Sequence, residues 1–491
     1  MTAFYTSVNH LPIHWTLPYV RGCEGLSAAV SKDGGSTWEK VPGNPILPEE
    51  PQGISVTGWR DPYLAEWDSL DQIVDRRLGL PHTPSLYGII AGGIKSRGPA
   101  IFLYSIPANN LLKWRYMGTL LTVPANLSFS QKWGADLGVN WECANFMTLD
   151  VPESERSRDF IICGSEGGKE RPWIASYHES EDAKVVPKRA VNYAFWVSGS
   201  LVSTENGSIS FRTENSGLLD YGCFYAPSSF QDPVSGRRIL WGWIKEEDIP
   251  AAYWNQKGWT GSLSLPRELF VQKISNVVGA LHSDLSEITT VTAIRNPTQP
   301  VTFDIETLGI RPLAELSSLR VGSPVSLKNI SLSPSMDVGE ASYFLPLPSS
   351  RFELEALIDV QEGCDTVGFH IRHNQDMSTV TTILFLPAEE EIRVIRSHSN
   401  RSTDISKSEE RGALTLFKVK DGNGTVLEPL KLHVFSDGNT LEVYANERFA
   451  LATVVYTTDP EAIGLTAFVE GRLDSAAFRE VRVWTDFKRI S

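Results

Sequence analysis

An all-β fold is what this sequence predicts, on three observations. Apolar residues almost never recur at helical spacing. Short runs rich in Val, Ile, Leu and aromatics alternate with turns built from Gly, Pro, Asn and Asp, as at residues 159–163, 238–244, 352–360 and 430–443. Tryptophan use also changes along the chain: thirteen of the 14 lie at or before Trp259, and only Trp484 follows. The aromatic-rich part predicts one β domain over residues 1–272. The Val/Leu/Thr-rich part predicts a second over 325–491, and 273–324 is expected to link them, with a short helix around 313–319.

Bulk properties narrow the partners. The 491 residues are 41% hydrophobic and 21% charged, as in a soluble globular protein. A net charge of -14 argues against nucleic acid or an anionic membrane and favours a neutral or cationic ligand. No apolar run approaches the ~20 residues of a membrane helix. Five scattered cysteines make neither a disulfide scaffold nor a zinc site, and the nine histidines show no metal-ligand spacing, so neither a metal nor another cofactor is expected. The residues from Met1 onward show no signal peptide, which leaves both secretion and the cytoplasm open for the complete protein.

Ser31-Lys32-Asp33-Gly34-Gly35-Ser36-Thr37-Trp38 fits the Asp-box pattern S-x-D-x-G-x-T-W. In such a hairpin the Asp accepts from turn N–H groups, Gly relaxes the backbone and Trp is expected to pack between strands. The pattern recurs in β-propeller blades and carries no chemistry. A sialidase would need several such boxes and an arginine triad, and the sequence has one box and no triad.

Three further segments place charge among aromatics: Gly58-Trp59-Arg60-Asp61-Pro62-Tyr63, Asn140-Trp141-Glu142-Cys143-Ala144-Asn145-Phe146, and Gly258 to Leu269 with Ser264-Leu265-Pro266-Arg267-Glu268-Leu269. Singly, Asp before Pro is a turn residue and Glu beside Trp a hydrated strand charge. Together, in this order, they resemble the Arg-Asp-Pro, Glu-Cys and Ser-Leu-Pro-Arg-Glu-Leu motifs of glycoside hydrolase family 32. Leu11-Pro12-Ile13-His14-Trp15 and Leu219 to Ala226 look like its fungal fructosyltransferase and β-fructofuranosidase branch, and Leu441 to Asn446 is similar to its terminal β-sandwich signature.

The resemblance implies a five-bladed β-propeller, its first blade expected to be missing here, followed by a C-terminal β-sandwich. It also implies a retaining enzyme acting on sucrose or short fructo-oligosaccharides, with water or a second sugar as acceptor. By resemblance Glu142 is the acid/base, a role that needs a carboxyl holding a proton near neutral pH. Asp61 is the carboxylate that grips fructosyl hydroxyls and stabilises the developing cation. Arg60, Glu166, His14, Ile13, Tyr225 and Glu247 are the substrate-binding candidates, with Glu246 an alternative to Glu247. Asn192 stands near where the fructosyltransferase branch carries His. Cys143 reads as a small packed residue beside the acid, since no His/Asp partner for a thiol nucleophile is visible.

The family's nucleophile is an Asp in an Asn-Asp-Pro or Gly-Asp-Pro segment. The Asp-Pro pairs here are Asp61-Pro62, Asp232-Pro233 and Asp459-Pro460, and none has that context. The chain as given is therefore expected to be inactive, either as a truncated enzyme or as a non-catalytic fructoside-binding homologue.

Overall fold

The computed structural model describes residues 1–78, 86–180, 185–204, 207–299, 301–330, 332–334, 340–422, 424–472 and 475–488. Strands dominate, as the turn-punctuated sequence requires, and the chain divides into two compact units. The first takes Met1–Lys169, Val191–Leu218 and Tyr225–Ser229; the second takes Glu170–Ala190, Leu219–Phe224 and Phe230–Ser491.

In the first unit β1 (Thr2–Val8), β2 (Glu24–Val30) and β3 (Glu39–Lys40) form an antiparallel sheet. A second sheet runs in chain order through β4 (Val56–Glu66), β5 (Leu86–Ile94), β6 (Gly98–Ile106) and β7 (Arg115–Thr122). A third does the same with β8 (Asn140–Asp150), β9 (Ser157–Glu166), β10 (Asn192–Ser203) and β11 (Ile209–Leu218). Sheets of this kind carry apolar side chains on both faces and must be packed on both. Leu26, Trp59, Ile90, Phe102, Tyr104 and Trp114 fill one such layer. Trp67 stacks on Phe146 with ring centroids 4.2 Å apart. Each fully buried Leu, Ile or Phe contributes about 1.5–3 kcal/mol over leaving it in water.

The second unit holds a sheet built on Arg238–Ile244, Arg267–Ala280, Phe303–Pro312 and Val291–Arg295, and two further sheets, of six and seven strands, facing one core. Of these, the six-stranded sheet runs Val325–Ile330, Ala476–Trp484, Phe352–Val360, Leu430–Asp437, Thr440–Ala445, Phe449–Val454. From Leu354 to Val360 buried positions alternate with half-buried ones, the period-two pattern of a strand with one face in the core.

Three local expectations change. Residues 273–324 hold the expected short helix, a 3-10 helix at Ala314–Leu319, but also regular strands where only a linking segment was expected. The run 430–443 is a hairpin, broken where Gly438 takes φ 55°. In the Asp box Thr37 N donates to Asp33 Oδ1 at 2.9 Å as expected, and the bonds from Thr37 hold the Asp33 carboxyl down at about 2. Trp38, however, is 44% exposed: it does not pack between strands but donates its indole N–H to Gly35 O at 3.0 Å.

Candidate functional site

Arg60 is the hub of the site, and its neighbours come from five strands, Tyr225 from the strand Phe224–Gln231. Its Nε and Nη2 donate to Glu142 Oε1 at 2.8 and 2.7 Å. Nη2 also donates to Glu166 Oε2 at 2.6 Å, and Nη1 to Glu24 Oε1 at 3.1 Å. Glu142 Oε2 accepts from the Tyr225 hydroxyl at 2.9 Å. Asn140 Nδ2 donates to Glu166 Oε2 at 2.8 Å, and Asp61 Oδ2 accepts from Cys143 N at 3.1 Å.

The backbone makes this convergence possible. β4 and β8 are the first strands of their sheets. Each shifts register at the site, β4 between Arg60 and Tyr63 and β8 between Glu142 and Asn145. A regular strand sends neighbours to opposite faces; a bulge cancels one step of that alternation. Arg60 and Asp61 thus both reach the cluster, as do Glu142 and Cys143. Asp61 and Cys143 sit in the left-handed region, with φ 62° and 50°, a conformation of a few per cent of non-glycine residues that concentrates at functional sites. Gly164, which pairs with Glu142, is fixed by space: a Cβ there would come within 2.9 Å of the Tyr225 ring.

The electrostatics are lopsided, with four carboxyl groups gathered about one guanidinium. Burial works against the Arg60 charge, but Glu142, Glu166 and Glu24 more than offset it. Glu166 is pushed up to about 7, first by burial and then by the Glu142 charge, with Arg60 pulling the other way. Asp61 is raised for the same two reasons. Burial and the Asp61 charge hold the Cys143 thiol well above its ordinary range, so it is a poor thiolate and serves as a donor to Asp61. The side chains of Arg60, Glu166 and Glu142 remain 11%, 11% and 20% exposed, so a ligand can reach them.

The other candidates fall as follows. Ile13 and His14, with Tyr19, Glu24 and Arg60, line one small cavity, and His14 bonds Thr16 Oγ1 at 2.6 Å. Asn192 is opposite Glu166 across the β9–β10 ladder. Glu247 belongs to the second unit, where it accepts from Ala190 N and Lys245 Nζ at 3.0 and 3.1 Å. Glu246 there is buried and accepts from Lys257 and Gly261 N. Asp232 caps an exposed turn through Ser235 N, and Asp459 accepts from Glu461 N and Asn374, both structural roles. Among the described residues Glu353, Glu355 and His433 approach one another as metal ligands would, but Arg320 already bridges the two carboxylates.

Sequence reading missed Glu24. Its carboxylate is fully buried and also accepts from Trp59 N at 2.7 Å, tying the Arg60 strand to β2. A lone Glu inside the small apolar run Glu24-Gly25-Leu26-Ser27-Ala28-Ala29-Val30 was the available signal, because such a charge needs a buried partner.

Comparison with known proteins supplies the context. Residues 1–279 match the family description "Glycosyl hydrolases family 32 N-terminal domain", and 315–485 match "Glycosyl hydrolases family 32 C terminal". A β-fructofuranosidase of Aspergillus kawachii, solved with glycerol, superposes with TM-score 0.80 at 30% identity, covering 98% of this chain and 80% of that one. A fructosyltransferase of A. japonicus gives TM-score 0.82 at 26% identity, covering 99% and 82%. A levanase of Bacillus sp. (strain L7) is 24% identical over 484 residues, 96% of this chain but 41% of the levanase. The chain thus spans well under half the length of that curated relative.

Proposed function

The chain belongs to glycosyl hydrolase family 32, and from that premise we propose that its Arg60-centred site holds the fructosyl unit of sucrose or of a short fructan. The observation that carries this reading is a reachable acid, Glu142, tied to Arg60 and Tyr225 within one cluster with Asp61 and Glu166.

In the retaining reaction of such a site Glu142 protonates the departing glucosyl oxygen, and later takes a proton from water or from an acceptor sugar. Four carboxyls around one guanidinium favour a ligand that gains positive charge, as the fructosyl C2 does when its bond to oxygen stretches. Asp61, fixed by Cys143 N, meets that charge and accepts fructosyl hydroxyls. Glu166, with its pKa at about 7, keeps a proton available beside Glu142 at neutral pH through their shared Arg60. Ile13 and His14 border the pocket.

Beside Asp61-Pro62, the Asp-Pro pairs of the sequence do not offer the carboxylate nucleophile that the step needs, since Asp232 and Asp459 are spent on turns. The 491-residue chain on its own therefore binds fructosides, with turnover ~10⁴-fold or more below that of a complete catalytic set. Incubation with sucrose should release no glucose, and calorimetry with sucrose or fructose should show saturable heat that Arg60→Ala abolishes. Glucose release at an ordinary invertase rate would refute the missing-nucleophile reading; binding unaffected by Arg60→Ala would refute the site.

A further inference from the structure

Outside that cluster the second unit contains a cavity of about 690 Å³, within the 300–1,000 Å³ typical of ligand sites. Its floor is the outward face of the six-stranded sheet. There Glu355 lies opposite Arg482 on one side and His433 on the other, and in the next row Leu357 lies opposite Glu480 and Lys431. The facing wall is made by Glu268, Arg311 and Pro312 with the turn Ala445-Asn446-Glu447.

The cavity is rich in charge, and most of its charges are paired; Lys431 and Glu480, one on each side of Leu357, carry opposite charges. Arg311 donates to Glu268 at 3.1 Å and to Glu447 at 3.2 Å. Arg482 donates to Glu355 at 2.5 Å, and His433 Nε2 lies 2.6 Å from Glu353 Oε1. An ion entering here would compete with the pairs that Arg311, Arg482 and His433 already make. A neutral ligand with many hydroxyls meets no such competition. Each hydroxyl can donate to a spare carboxylate lone pair and accept from a guanidinium N–H not used in a pair, and Arg311 spends only two of its five donors on Glu268 and Glu447. Leu357, Pro312 and Ala445 supply apolar patches between the polar rows, as the C–H faces of a sugar ring require.

We infer that this cavity is a second carbohydrate site that takes a neutral oligosaccharide along the outer face of strands Phe352–Val360, Leu430–Asp437 and Ala476–Trp484. It goes beyond the fructosyl site around Arg60 and does not depend on it.

The test uses the full chain with 1-kestose and longer inulin-type oligosaccharides, and maltotriose as a second probe. Hydrogen–deuterium exchange should show ligand protection in those three strands, retained in Arg60→Ala. Leu357→Trp, which fills the cavity, should weaken the calorimetric binding that remains in Arg60→Ala by about tenfold. Should Leu357→Trp fail to fold, the exchange pattern of the Arg60→Ala chain decides alone. Protection by maltotriose and not by inulin-type sugars keeps the cavity as a sugar site while detaching it from fructans. No protection by any of the probes, or protection that vanishes with Arg60→Ala, overturns the inference.

Discussion

Arg60 and Arg267 are the same device used twice, an arginine held by carboxylates inside a β structure, and their difference separates a site from a clamp. Arg267 donates to Asp220 at 2.8 Å and to Glu442 at 2.9 Å, with all three side chains at most 4% exposed. The carboxylates are satisfied further by Gly222 N, Ala452 N, Leu265 N and the Tyr444 hydroxyl. The guanidinium also lies over the rings of Phe224 and Tyr444. Arg60 has more carboxyl partners, fewer backbone donors satisfying them, and partial exposure. Closed, and with its carboxylates filled by backbone and hydroxyl donors although Arg267 Nε has no partner, the first arrangement can only hold strands together. Unsaturated and reachable, the second has acceptors left for a ligand.

That contrast can be broken in graded ways. Arg267→Ala should cost roughly 3–5 kcal/mol by denaturant unfolding, since it strands two buried carboxylates, and should lower fructoside affinity only through lost folding. A cost below about 1 kcal/mol would mean that the Arg267 cluster is no clamp. Arg60→Ala should cost less, about 3 kcal/mol, because water reaches its carboxylates and they can take up protons, while binding of sucrose and fructose is lost.

Glu166→Gln probes the charge imbalance through pH. Folded Glu166 keeps its proton up to about 7 while the unfolded carboxyl gives it up near 4.5, so the folded chain binds the extra proton between those values. Its contribution to stability therefore declines as pH rises through that window. The variant should match the parent below pH 4.5 and exceed it above pH 7 by about 3 kcal/mol, in melts run across pH. Identical pH profiles would remove Glu166 as the proton store. Smallest is Tyr225→Phe, which deletes one hydrogen bond to Glu142: about 1 kcal/mol in stability, read beside a change in fructoside affinity that a purely packing role for the ring would not produce.

Much of this contrast was written into the chain before it folded. The strand alternation and the turn residues specified the β architecture, because both are local. The motif segments singled out Arg60, Asp61, Glu142 and Arg267, yet nothing local told the clamp from the site. Asp220, Arg267 and Glu442 come from three separate segments of the family resemblance, and only their pairing distance explains them together. Glu24 escaped because its partner lies 36 residues away, and the Tyr225–Glu142 bond spans 83. Trp38 misled in the other direction: a motif that names the residue does not say which face of the hairpin it occupies. Glu247 shows the limit of proximity in sequence, since its bonds serve the segment ending at Ala190.

The register shifts beside Asp61 and Glu142 make the site vulnerable to a kind of lesion that leaves every named side chain intact. Removing a single residue from either bulge, Pro62 or Ala144 for instance, would let the strand close into regular pleating. The carboxylate would then rotate to the opposite face of its sheet. Alignment-based inspection would still find the acid and the arginine in place, and the pocket would have lost both its shape and its chemistry. Chain length, counted to the residue across those two short stretches, is thus as much a part of the site as its functional groups.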